Sequence, residues 1–435
     1  MTPLVVGFAG ILALLTLLAL RVPIAVALGA VSLIGIGMIR GWDAVFGAAR
    51  SMPYAFVAKW ELSAVPMFLL MGAIAYYSGL TTSLFKAMRL WFAALPGGLA
   101  VATNFGCAGF AAASGSSMAT AASMGRLTIP EMLRYKYDPG LATGVVAAAG
   151  TLGSLIPPSI MLIIFGMMTE TSISKLFIAG ILPGILTAVI YAAMIIARCS
   201  WNPGLAPPVT ESVTWGERFR VLADIWQLPI LIGIVIVSLY TGIATTTEAA
   251  AVGALAAFVM AGLNRTLSVN VVRASVMEAL KSTATILFIS FGAIFFSRFL
   301  TFAGLPQYMA GLAETMAYSP LLLLFFVATV YLILGMFLDP LGLMLLTVPI
   351  FLPFFEATGY DKIWMGIMVV KFIEIGLITP PVGLNAFVVK GIVGDAIPLG
   401  TIFKGLTWFI AAELVVVMLL TIFPQIVMVL PNQMQ

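Results

Sequence analysis

Residues 150–166 read GTLGSLIPPSIMLIIFG, an apolar run with Pro157 and Pro158 side by side at its centre. Proline removes a backbone donor and its ring clashes with the preceding turn, so the pair breaks any helix this run begins. A break at membrane depth leaves backbone groups without partners, at several kcal/mol each, unless it is buried in protein or lines a cavity. The pattern recurs at 374–391, EIGLITPPVGLNAFVVKG, with Pro380 and Pro381. A fold for this chain has to give both breaks a place.

The setting is a membrane. The 435 residues are 62% hydrophobic and 9% charged, with mean hydropathy +1.14. Apolar runs long enough to span a bilayer recur from end to end, which makes this an all-α polytopic membrane protein. The longest polar connection, roughly 199–227, is too short to fold alone. The first run, 4–20, lacks a basic leader and a small-residue cleavage site and reads as a retained span. There are no histidines, which removes His proton relays, His metal sites and Ser-His or Cys-His catalysis. Cys107 and Cys199 have no metal-ligand spacing and are expected as free thiols. The formal charge of +4 fits basic residues on a cytoplasmic face. No basic patch interleaved with aromatics points to nucleic acid.

Internal matches order the chain. The two proline pairs lie 223 positions apart; ALGAV at 27–31 and AVGAL at 251–255 are offset by 224; FIAG at 177–180 and IFKG at 402–405 by 225. MGAI at 71–74 and FGAI at 291–294 are offset by 220. A near-constant offset along the whole chain indicates a duplicated unit of about 200 residues. The first repeat, 1–198, has spans near 4–20, 22–39 and 62–78, an amphipathic segment 80–95, a small-residue stretch 97–125, a broken helix 139–168 and a span 176–198. After a central loop at 199–225, the second repeat, 226–435, has spans near 226–241, 247–264 and 282–300 and an amphipathic segment 305–317. An apolar pair at 320–356, a broken helix 362–393 and a span 405–430 complete it.

The stretch 97–125, GGLAVATNFGCAGFAAASGSSMATAASMG, is too short to cross and return, which takes roughly 40 residues. A re-entrant helical hairpin with its tip near ASGSSM fits; a single small-residue span packed tightly on its neighbours is the alternative. The pair at 320–356 has a matching break at Asp339-Pro340. With hairpins set aside each repeat crosses five times, so the second copy enters the membrane inverted. Arg126, Arg134, Lys136, Arg198, Arg218, Arg220, Arg265, Arg273 and Lys281 then share the cytoplasmic side. Arg40, Arg50 and Lys59 fall on the other side, against the rule.

Inverted repeats with broken helices characterise secondary transporters. Freed carbonyls coordinate a cation, and half-helix N-termini offer positive dipole ends to an anion. The reading therefore pairs each hairpin tip with a break. The first site joins Ser114, Gly115, Ser116 and Ser117 to Thr151, Gly153, Ser154, Pro157 and Pro158. The second joins Asp339 and Gly342 to Thr379, Pro380, Pro381, Gly383 and Asn385. These are hard oxygen donors suited to sodium. A lone Ser or Thr is ordinarily helix-packing glue; several in a row at a tip opposite a break are a site. Among intramembrane acids, Asp339 is placed to neutralise a cation. Glu374 either shares that role or pairs with Lys371 structurally. Glu248 and Glu170 read as caps or interfacial groups.

The segments SGSSMATAASMGRLTIPEM (114–132), AAAGTLGSLIPPSIMLIIFGMMTETSISKLFIAGILPG (147–184), ATTTEAAAVGAL (244–255) and GLITPPVGLNAFV (376–388) resemble the large membrane subunit of tripartite ATP-independent periplasmic (TRAP) transporters. The resemblance runs along essentially the whole chain; it departs at Thr246, where the family carries a proline. It implies an elevator-type, sodium-driven importer of an organic acid in a bacterial inner membrane. No cofactor is implied beyond sodium as coupling ion. The implied partners are a periplasmic substrate-binding protein and a small four-span membrane subunit on a separate chain. The elevator's transport domain is expected at 97–168 plus 320–393, the remainder forming the scaffold. The segments 80–95, with Lys86, Arg89 and Trp91 as interfacial anchors, and 305–317 act as arms.

Two rivals stand beside this reading. A sodium-dicarboxylate carrier of similar design works without a binding protein. An intramembrane protease would use Ser116 as nucleophile, but the chain lacks histidine and a pair of membrane aspartates. The inverted topology has a direct test: a cysteine placed at Ser212 is labelled only from the cytoplasm and one at Ala357 only from the periplasm. Labelling of both from the same side rejects the inverted repeat.

Overall fold

The computed structural model describes residues 2–207, 214–316, 320–357 and 359–434, and these form α-helices joined by short connections. Ser212 and the last residue of the 305–317 arm lie outside the described residues. The chain starts with α1 (Pro3–Ala19), α2 (Ile24–Arg40), α3 (Trp42–Val57), α4 (Ala64–Tyr77) and α5 (Leu80–Phe92). Next come α6 (Gly98–Ser114), α7 (Ser117–Arg134), α8 (Pro139–Gly150), α9 (Ile160–Thr169) and α10 (Ile173–Trp201). After α11 (Trp215–Leu222) follow α12 (Gln227–Tyr240), α13 (Thr246–Leu263), α14 (Val269–Ala303) and α15 (Leu305–Met316). The chain finishes with α16 (Pro320–Gly335), α17 (Pro340–Ala357), α18 (Lys362–Ile378), α19 (Leu384–Val393), α20 (Leu399–Ile422) and the single turn α21 (Gln425–Met428).

Local chemistry explains the ends. Asp138 accepts from the Leu141 amide at 2.8 Å and Pro139 occupies the first turn of α8, where its missing donor is harmless. A capping box of Thr245 and Glu248 opens α13, so the helix starts at Thr246 without a proline, and Glu248 is the cap its position suggested. The α6–α7 hairpin extends past the expected end at 125 to Arg134. The expected span 282–300 is the end of a 35-residue helix, α14, about 50 Å long at 1.5 Å per residue. Its N-terminal part, with Arg273, Glu278 and Lys281, projects beyond a bilayer's apolar core. The stretch 41–61, read as a connection, folds as α3, with Trp42, Phe46 and Tyr54 exposed. The central loop holds a helix too, α11, capped by Thr214 and Glu217.

Packing sorts the helices into two groups. In one, α14 lies along α2 and α4, α13 packs on α4, and α1 and α12 flank them. In the other, α8 is enclosed by α6, α7, α19 and α20, while α10 joins α6, α18 and α20, and α16 packs on α18. The spans α10 and α20, expected in the scaffold, pack mainly on the hairpin and broken-helix elements. The reason is close approach: glycines let helix backbones touch, and Gly405 of α20 lies directly on the backbone of Gly140 and Gly144 of α8.

The arm α5 is also tied differently from expectation. Arg89 pairs with Glu131 of α7 and its guanidinium lies over the Tyr135 ring. Trp91 packs edge-on to Phe219 and donates to the Arg218 carbonyl of α11 at 3.1 Å. These side chains bind protein rather than the lipid interface. Large apolar side chains such as Leu12, Ile34, Leu255 and Phe325 remain exposed around the perimeter, as hydrocarbon contact demands. Arg40 and Arg298 share the ring of Phe302.

Replacing Gly405 with Leu forces α20 away from α8. The variant is expected to lose about 1–3 kcal/mol of stability, the usual cost of overpacking, while Gly262→Ala, with open space around it, stays near the parent. Thermal melting of the purified protein in detergent checks both.

Candidate transport site

The first break is built from the hairpin outward. Gly115 takes a φ of +61° at the end of α6, a conformation glycine adopts without strain. Ser116 then caps α7 by accepting from the Ala119 amide at 3.4 Å. Thr120 donates to the Ser116 carbonyl at 2.8 Å, so the Ser114 hydroxyl, 2.8 Å from Thr120 Oγ1, is the donor in that pair. Across from this tip, α8 ends at Gly150 and a 3-10 turn, Thr151–Ser154, leads into the Pro157-Pro158 stretch; that peptide bond is cis. Ser159 restarts the helix, accepting from the Leu162 amide at 3.3 Å and donating to the Ser154 carbonyl.

Tip and break are in contact. A Cβ at Gly153 would stand 2.5 Å from the Ser116 carbonyl oxygen, and one at Gly115 would stand 2.6 Å from that of Pro158. The Ile160 amide reaches the Gly115 carbonyl at 3.5 Å. Gly115, Ser116, Gly153 and Pro158 are therefore brought together. Thr151 turns back on its own helix, donating to the Ala148 carbonyl at 2.7 Å. Ser116 works as a helix cap, and none of its hydrogen bonds among the described residues comes from a general base.

The second break is arranged less as expected. α18 ends at Ile378, the Pro380-Pro381 bond is cis, and the Gly383 amide donates to the Met336 carbonyl of the hairpin tip at 3.2 Å. Thr379 donates to Ile375 at 2.6 Å. Asp339 faces the start of its own helix: Oδ2 accepts from the Gly342 amide at 2.9 Å. Gly342 lies against Ile24 of α2. Asn385 does not turn to the tip but reaches into the first repeat, its Nδ2 donating to the Ala147 carbonyl of α8 at 3.1 Å. That side chain is fully buried, and its Oδ1 has no hydrogen-bond partner among the described residues. The set written from sequence as one second site thus divides between a helix cap, a scaffold contact and a bridge between the two broken helices.

A cavity of about 300 Å³ opens between the groups. The first tip contributes Ser114 and Ser116, the second hairpin Leu341, and the scaffold Tyr76 of α4 with Lys281, Ser282 and Thr285 of α14. Sequence reading missed the scaffold wall. Lys281 counted only toward the basic face, because nothing in a linear pattern sets α14 opposite a hairpin tip. At the other end of the molecule a cleft of about 650 Å³ is lined by Lys59, Trp60, Glu170 and Thr171 with Thr245, Thr246 and Thr247. There Trp60 donates to Thr247 at 3.0 Å, and Ser174 and Thr246 hydroxyls lie 3.0 Å apart, joining α10 to α13. Lys371 and Glu374 do pair, at 2.9 Å. Their cluster includes Glu413, an intramembrane acid that its place in an apolar span would have signalled. Both cysteines are free thiols.

Comparison with known proteins fits this geometry. The chain superposes on the Alcanivorax borkumensis YdaH transporter with a TM-score of 0.67 at 16% identity, covering 96% of this chain and 98% of that one, a likeness of fold. It is 38% identical over 377 residues to the C4-dicarboxylate TRAP transporter large permease protein DctM of Pseudomonas aeruginosa, 86% of each chain. It is 32% identical over 377 residues to the sialic acid TRAP transporter large permease protein SiaM of Vibrio cholerae, covering 86% of this chain and 87% of that protein. Residues 11–426 match the family described as the tripartite ATP-independent periplasmic transporter, DctM component. The chain belongs to that family: it is a multi-pass inner-membrane permease subunit of a TRAP transporter, and not an enzyme.

Proposed function

We propose that this subunit imports a carboxylate handed over by a periplasmic binding protein, with sodium as coupling ion and a small four-span subunit as a separate partner. The group formed by α6–α10 and α16–α20 moves as an elevator past the scaffold of α1–α4 and α12–α14. The observation that carries this reading is the cavity in which the serine tip of the mobile group faces Lys281 and Ser282 across the joint. A carboxylate bound there meets the Lys281 ammonium, hydroxyls and the N-terminus of α7, which suit negative charge, with the Glu278 carboxyl also in the lining. On the opposite side the Ser174–Thr246 hydrogen bond ties α10 to α13 across the joint, beside the larger cleft.

Sodium coupling rests on donor chemistry. The breaks and tips present carbonyls and hydroxyls, and the buried Oδ1 of Asn385 is an acceptor without a donor among the described residues. Hard oxygen ligands suit hard cations. Asp339 contributes charge from the second tip while capping α17. The relatives carry names of different substrates, among them C4-dicarboxylates, sialic acid, ectoine and isethionate; an organic acid is the class that the lysine and hydroxyls of the cavity favour.

Three measurements test the proposal in proteoliposomes containing the small subunit and supplied with binding protein. Uptake is expected to collapse without a sodium gradient; full uptake on a proton gradient alone rejects sodium coupling, and uptake independent of the binding protein favours a stand-alone carrier. Asp339→Ser keeps a capping oxygen, so its melting temperature is expected to stay near the parent while its sodium requirement rises; Asp339→Ala additionally loses about 1 kcal/mol of cap. An unchanged sodium dependence in both variants removes Asp339 from the site. Gly153→Ala wedges a methyl against the Ser116 carbonyl, and about 1–3 kcal/mol of strain is expected to lower uptake roughly tenfold or more.

A further inference from the structure

Three ionisable side chains are sealed together at the meeting of α10, α18 and α20. Lys371 and Glu374 lie one turn apart on α18, and Glu413 comes from α20; the side chains of all three have no solvent exposure. Lys371 Nζ donates to Glu374 Oε2 at 2.9 Å and to Thr187 Oγ1 of α10 at 3.2 Å, and it lies 2.6 Å from Glu413 Oε2. That last contact is an ion pair outside hydrogen-bond direction. The hydroxyl of Tyr191, also on α10, donates to Glu413 Oε1 at 2.5 Å. Glu374 Oε1 has no hydrogen-bond partner among the described residues.

The remaining helices around α18 bring no further charge to the cluster. Tyr331 of α16 packs its ring on Phe372. Glu356 of α17 pairs with Lys362 at the start of α18. Lys390 of α19 is turned to the Gly394 and Ile397 carbonyls. Neither α9 nor α21 contains a titratable residue.

One ammonium thus faces two carboxyl groups in a medium where an uncompensated charge is strongly unfavourable. A buried acid in that position takes up a proton rather than remain charged. The two acids are not equivalent. Glu413 has both oxygens beside donors, the Tyr191 hydroxyl and the Lys371 ammonium. Glu374 has one oxygen on Lys371 and the other facing no donor, so its negative charge is the less supported. We propose that Glu374 Oε1 holds a resident proton, making the cluster a neutral set of ammonium, carboxylate and carboxylic acid. The site binds a proton and takes no part in holding substrate. If the mobile group moves as proposed above, the cluster crosses with it uncharged; the protonation itself does not depend on that reading.

Infrared difference spectroscopy of the purified protein at neutral pH tests the assignment without any transport measurement. A protonated-carboxyl band is expected in the parent and lost in Glu374→Gln, which reproduces the neutral acid and so melts close to the parent temperature. Glu413→Gln removes the ionised partner; Glu374 must then release its proton to balance Lys371, and the band is expected to disappear there too, although Glu374 is still present. Lys371→Met leaves the carboxyls unbalanced and is expected to melt well below the parent or fail to fold. An unchanged band in Glu374→Gln, or a band retained in Glu413→Gln, overturns the proposal. So does a Glu374→Gln melting loss as large as that of Glu374→Ala.

Discussion

Backbone that leaves the helix inside a bilayer has to find its hydrogen bonds in protein, and the fold is organised around meeting that demand twice. At the first break Ser159 ties down the Ser154 carbonyl and restarts a helix, while the Gly115 carbonyl serves the Ile160 amide. At the second, the Met336 carbonyl serves Gly383. Each break is therefore finished by a hairpin tip, and neither half of such a pair is complete alone. Small residues make the fit possible. At Gly153 against Ser116, and at Gly376 against Gly335, any side chain would push tip and break apart.

The same demand ties the two breaks to each other. Asn385, from the second break, donates to Ala147 beside the first, and α20 packs on α8 through Gly405. α10 in turn shares the buried ion cluster with α18 and α20. A group joined by such contacts has many internal constraints; toward the other helices, α17 packs on α14 and α6 on α4. The joint to α4, α13 and α14 holds a cavity at one end and, at the other, the Ser174–Thr246 hydrogen bond beside a second cleft.

The buried cluster follows a different logic from the breaks. Enclosed ion pairs contribute little net stability, since desolvation offsets attraction, but removing one partner is severe. Their value here is geometric: Lys371 can be satisfied only when α10 and α20 both stand beside α18. Glu374, which the sequence left between a cation-site role and a pair with Lys371, stands in a three-member cluster with Glu413.

The class of protein, the positions of the breaks and the small polar tips were legible in the linear sequence. These are properties of composition, proline chemistry and chain periodicity, which act locally and survive in a linear pattern. It also marked Ser114–Ser117 and Gly153 as partners, because both tip and break are continuous stretches. What lies across a helix–helix interface was decided only by the tertiary structure. Lys281 opposite the serine tip, Glu413 beside Lys371, Asn385 turned to Ala147 and Asp339 turned to its own helix all depend on how helices distant in sequence are set against one another. Apolar spans carry almost no directional signal for that, since in a bilayer every face is allowed to be apolar; close approach at glycines and the pairing of a few buried polar groups choose the neighbours.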